Sequence, residues 1–155
     1  MKYALLCNRA SQLRDIALNQ GLLRLSDLAV IVDPKVHDTD RHFAMCSERA
    51  DEIRVAPQLA DQPYPIIDGI LMHEIGHAAD FAYKGKLWAE MNTGGAPLLM
   101  MSRSAWRGWK RRTPYVVERH ADDLAEAIFS VRIGYVGPLM LQSTEGGVRP
   151  RPFGI

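Results

Sequence analysis

Two cysteines, Cys7 and Cys46, stand in a chain of 155 residues. Their spacing fits neither a disulfide framework nor a thiolate metal site, so both are expected as reduced thiols. Long apolar runs are missing too, and nothing approaches the roughly 18 residues that a membrane-spanning helix needs. The opening stretch from Met1 to Cys7 is too short for a signal peptide, and Asn8 and Arg9 interrupt it at once. A cytoplasmic protein with no membrane partner is the expectation. Excess charge is also lacking: 19 Lys and Arg against 18 Asp and Glu leave a net +1, which gives no global pull towards nucleic acid or lipid. Internal repeats are absent. What remains is an ordinary globular composition, 47% apolar and 24% charged, at a length that suits one domain with a sizeable core.

Against that plain background stands Leu71-Met72-His73-Glu74-Ile75-Gly76-His77, an H-E-x-x-H pattern. On a helix His73 and His77 lie one turn apart on one face, so both imidazoles reach a single metal ion. Glu74 falls beside that face, where it can take a proton from an activated water. Zinc favours nitrogen ligands, and a hydrolytic zinc site uses three protein ligands. A third ligand must therefore come from elsewhere in the chain. Periodicity predicts a helix over residues 64–84, opened by Asp61, Pro63 and Pro65 and closed by Gly85. It is apolar on two sides, as a central buried helix is, and histidines and a glutamate buried there need compensation.

Elsewhere the pattern predicts a helix over 9–24, a buried strand over 28–32, and a short strand at 43–46 inside the polar segment 35–51. A further strand, 52–56, alternates polar and apolar residues. Residues 86–113 read as a long connection, functional or partly helical. Thr113-Pro114 then caps a helix that runs to about Arg132. Together these make an α+β fold in one domain, 1–141, with a loosely ordered tail, 142–155.

The second long helix carries Glu118-Arg119-His120-Ala121-Asp122-Asp123-Leu124-Ala125. This resembles the E-x-x-A-[DN]-x-[FL]-A pattern on the glutamate helix of gluzincin-type zinc peptidases. The size of the chain is similar to that of compact, single-domain minigluzincin-like proteins. The resemblance covers the two helices and the strand before them, about a third of the chain. It implies a zincin-like fold: a small twisted sheet, a central H-E-x-x-H helix and a packed glutamate helix. It also implies Zn2+ held by His73, His77 and Glu118, with Ala121 allowing close packing and Asp122 orienting a ligand histidine. A rival assignment remains open. Tyr115 stands seven residues before Asp122, and Leu124-Ala125-Glu126-Ala127 follows it, which resembles the anthrax lethal factor family and would make Asp122 the ligand. The metzincin arrangement fails, because the position six residues after His77 is Tyr83. Asp80, one turn beyond His77, reads as a second-shell or helix-end group or an alternative ligand.

The activity so implied is peptide-bond hydrolysis with Glu74 as general base, in a small regulatory protein of bacterial or phage type. Tyr115 is the first candidate to stabilise the tetrahedral intermediate; Tyr83, Arg111, Arg112 and His120 are others. A peptide or protein substrate would add to the strand 52–56 as to a sheet edge, contacting Arg54 and Val55. The cluster 103–112, with five basic residues and Trp106 and Trp109, packs on the core, recognises substrate, or binds nucleic acid. Two other functions stand beside the first: a zincin-fold binding module without catalysis, and a DNA-associated protease using 103–112.

Overall fold

The computed structural model describes residues 2–36, 43–92, 103–132 and 149–150. In chain order these form α1 (Lys2–Asn19), β1 (Ala29–Val32), β2 (Ala44–Cys46), β3 (Glu52–Val55), α2 (Tyr64–Ala82), α3 (Lys86–Asn92), α4 (Arg103–Lys110), α5 (Pro114–Phe129), β4 (Val131–Arg132) and β5 (Arg149–Pro150). Single 3-10 turns at Leu23–Leu25 and Pro57–Asp61 punctuate them. The architecture is α+β.

Helix α1 begins well before the expected residue 9. Its buried stripe, Leu6-Ala10-Leu13-Ala17, keeps a spacing of three to four residues straight through the polar Asn8-Arg9 step. Arg9 faces outward from that stripe and forms an ion pair with Asp68 of α2 at 2.7 Å. After Asn19, Gly21 turns the chain at φ +92°.

The three-stranded sheet has the order β1-β3-β2. Strand β3 pairs in parallel with β1 and antiparallel with β2. The expectation that residues 52–56 form a free sheet edge is therefore wrong: β3 is the central strand, and β2 is the antiparallel edge. Alternation along a strand reports which face is buried, not which strands lie beside it. Among the described residues strand β1 is paired on one side only, and its residues are half-buried or exposed, less enclosed than its apolar run suggests.

Helix α2 forms where expected. Pro63 stands at its N-cap, with proline in the first turn, a position that needs no donor. Past its last turn Lys84 and Gly85 both take positive φ, 55° and 79°, and the Gly85 amide donates to the Asp80 carbonyl. Every residue from Gly69 to Asp80 is buried. Leu71, Ile75, Ala78 and Ala79 join Leu13, Ile53, Val55, Leu124, Ala125 and Ile128 in one core. Helix α5 starts at the expected cap, where the Thr113 hydroxyl accepts from the Val116 amide at 3.3 Å. It ends at Phe129, with Ser130 left-handed, because Val131–Arg132 pair with Arg149–Pro150 instead of prolonging the helix. The connection 86–113 contains α3 and α4; its residues 93–102, and the tail apart from 149–150, lie outside the described residues. Helices α2 and α5 cross where Gly76 meets Ala121. A Cβ on Gly76 would collide with the Ala121 carbonyl, so glycine alone permits this approach.

Candidate metal centre

Because α2 and α5 touch at the level of their backbones, side chains flanking the contact point converge. His73 and His77 approach edge to face, with ring centroids 4.7 Å apart. Both Nε2 atoms aim at one place, and Glu118 Oε2 stands 2.6 Å from the first and 3.0 Å from the second. Asp122, one turn further along α5, takes the other side of His73: its Oδ1 lies 2.7 Å from Nδ1. Phe81 stacks on the His77 ring at 5.6 Å. His77 Nδ1 is buried without a hydrogen-bond partner among the described residues. Both histidines, Glu74 and Asp122 are buried, while the Glu118 side chain is 30% exposed. Glu118 thus forms the open side of the site.

The electrostatics follow from this packing. Burial opposes a charge on His73, but the hydrogen bonds to Asp122 and Glu118 outweigh it and raise its pKa to about 10. Burial also opposes charge on Glu118, yet its contacts with His73 and His77 hold it well below the ordinary carboxylate range. Asp122 goes the other way: burial lifts it to about 6 against the pull of His73. Burial, and then the negative charges of Glu74 and Asp51, push the Cys46 thiol up.

The donor set fits a metal ion. The ligand atoms of His73, Glu74 and His77 lie within 4.8 Å of one another. Tetrahedral zinc with bonds of about 2.0–2.1 Å separates its ligand atoms by roughly 3.3 Å. The Nε2–Oε2 spacings of 2.6 and 3.0 Å would widen by roughly 0.7 and 0.3 Å to match. Asp122 supplies the outer carboxylate that ligand histidines commonly have.

The other candidates sit elsewhere. Asp80 is fully buried beyond the site: its Oδ1 accepts from Trp109 Nε1 at 3.1 Å, and its Oδ2 faces Arg112 at 2.7 Å. It is a helix-end anchor, and with its carboxylate committed there it does not serve as an alternative ligand. Arg112 also lies over the Trp109 ring at 4.7 Å, donates to the Trp109 carbonyl, and meets His120 Nδ1 at 2.7 Å. His120 stacks on Trp88, whose indole N–H donates to Asp123. Arg112, Trp109 and His120 are thus engaged in joining α2, α3, α4 and α5, away from the two Nε2 atoms. The Tyr83 hydroxyl accepts from the Arg24 amide at 3.3 Å, so it too is committed elsewhere. Tyr115 stands at the start of α5, 61% exposed. Val55 is fully buried in the core, and Arg54, 46% exposed, pairs with Asp33 and Glu52 on the outer face of the sheet. The Trp106 side chain lies outside the described residues.

Sequence reasoning missed Gly76 as the crossing point and Arg112 as the hub. A glycine inside a long helical pattern was the available signal for the first. Nothing local marks the second.

The fold and site therefore define an α+β chain with a buried His73-Glu74-His77 group that could hold a metal ion. No protein-family model, curated protein or solved structure matches the chain. No helix among the described residues is long and apolar enough to cross a membrane.

Proposed function

We propose that this chain is a zincin-type metallopeptidase that binds one zinc ion through His73, His77 and Glu118 and hydrolyses a peptide bond with Glu74 as general base. One observation carries the reading: a single Glu118 oxygen faces both Nε2 atoms, at 2.6 and 3.0 Å, while Asp122 holds the remaining nitrogen of His73. That division favours Glu118 over Asp122 as third ligand. When bound, the metal would polarise the scissile carbonyl and acidify the attacking water. Glu74, buried beside the histidines, would serve as the base that accepts the proton of the attacking water and passes it to the leaving amine. Asp122 fixes the His73 tautomer with Nδ1 protonated, leaving Nε2 free to coordinate. Strand β2, the antiparallel edge that packs on α2, replaces β3 as the element to which an extended substrate adds.

The test is metal content by plasma mass spectrometry together with peptide cleavage read by mass spectrometry. Wild type and Glu74→Gln should each retain about one zinc per chain. Cleavage should be present in the first and lost in the second. Equal cleavage by both would overturn the mechanism. Zinc-loaded wild type that cleaves nothing would point to the second reading, a zinc-stapled binding module. The engagement of Tyr83, Arg112 and His120 elsewhere favours that reading, since each was a candidate to stabilise the intermediate.

A further inference from the structure

We propose that the exposed basic surface of α4 and the start of α5 recognises an acidic stretch of the polypeptide substrate; this rests on the peptidase reading above. Charge is nearly balanced over the whole chain but unevenly placed. Six of the 19 Lys and Arg, and one of the 18 Asp and Glu, fall within residues 103–119. The one acid is Glu118, at the metal site.

The structure divides the side chains of this segment. Trp109 and Arg112 turn inward and are consumed by Asp80 and His120. Arg107, Arg111 and Arg119 turn to solvent. The inward pair thus fixes the backbone that displays the outward set, and a fixed display loses less entropy on binding than a mobile one. Arg107 and Arg111 are one helical turn apart, and Arg119 adjoins Glu118. Arg111 stands just past the end of α4 and Arg119 in the second turn of α5, so the set flanks the turn that leads into the helix carrying Glu118. Carboxylates a few positions from the scissile bond would therefore meet the guanidinium groups, which pair with them bidentately.

Single-stranded nucleic acid is the less suitable occupant, because it stacks successive bases on several open aromatic faces, and among the described side chains of this segment the open ring is that of Tyr115, 61% exposed. Arg112 covers the Trp109 ring at 4.7 Å, and Trp88 is stacked on His120 at 3.8 Å.

The experiment is fluorescence anisotropy on zinc-loaded, full-length protein with three labelled probes: a Glu-Ala repeat peptide, a Lys-Ala repeat peptide and an oligo-dT strand. The acidic peptide should bind at least about tenfold more tightly than the other two, and should weaken by about tenfold between low and roughly 0.5 M salt. Replacing Arg107, Arg111 and Arg119 together by Gln, or by Glu, should abolish the preference, and replacing all three by Lys should largely keep it. Equal binding of the two peptides, tighter binding of oligo-dT, or an unchanged preference in the Gln variant would overturn the proposal. Zinc content and cleavage are read on the same samples. Their loss would sink the peptidase reading, whereas their retention without an acidic preference would sink this inference alone.

Discussion

His73 is held at both ring nitrogens, by Glu118 and Asp122, while His77 is held at one. The unequal grip predicts unequal mutational costs. Glu118→Ala should lose stoichiometric zinc, whereas Asp122→Asn, which weakens only the outer partner, should lower zinc affinity by about 10- to 100-fold; competition with a chromophoric chelator measures both. A pH dependence follows as well. The folded pKa of His73 is raised from 6.5 to about 10, so its contribution in metal-free protein is complete below about pH 6.5 and is lost as pH climbs towards 10. Asp122, raised by burial, acts in the same direction at lower pH. Glu118, depressed, contributes above its ordinary value and loses that contribution in acid. Metal-free protein should therefore show a melting temperature that falls between about pH 6.5 and 10. Zinc should bind more tightly over the same range as it displaces the His73 proton; calorimetry in buffers of different ionisation enthalpy reads that release. At this scale the H-E-x-x-H spacing is legible because two histidines four apart must share a helix face. The place of Asp80 was not, since Trp109 and Arg112 reach it from 29 and 32 positions away, and no local pattern encodes such a partner.

The elements α2 and α5 depend on one another through Gly76. An alanine there gains about 1 kcal/mol of helix propensity but drives a methyl group into the Ala121 carbonyl, and overpacking costs about 1–3 kcal/mol. With backbone as the obstacle the steric cost should win: Gly76→Ala should unfold at lower denaturant and bind zinc less tightly. Asp80 and Arg112 are the second tie, with side chains 0% and 7% exposed. Removing one member of a buried pair strands the other, so Asp80→Ala should cost about 3–5 kcal/mol, seen in urea unfolding. Helices α2 and α5 were legible where proline, threonine and glycine punctuate apolar periodicity. The start of α1 was not, because Asn8 and Arg9 look like an interruption until the stripe from Leu6 to Ala17 is seen to pass behind them.

For the molecule as a whole, the hydrophobic core is assembled from α1, the sheet, α2 and α5, and His73, Glu74, His77 and Glu118 are not part of it. Chelation should therefore leave the far-ultraviolet circular dichroism nearly unchanged. Added zinc should raise the melting temperature in proportion to the logarithm of its excess over the dissociation constant. The α+β class was legible from composition and periodicity, but the strand order was not, because the register of a strand carries no information about its neighbours. The contact between Gly76 and Ala121 has a mechanical consequence. Two polar attachments stand beside it: Glu118 on both histidines with Asp122 on His73, and Arg112, which meets His120, on Asp80. Bulk added at this crossing would part the helices and draw Glu118 away from the two histidines, so the width of the site is set by the single hydrogen that stands in place of a side chain at Gly76.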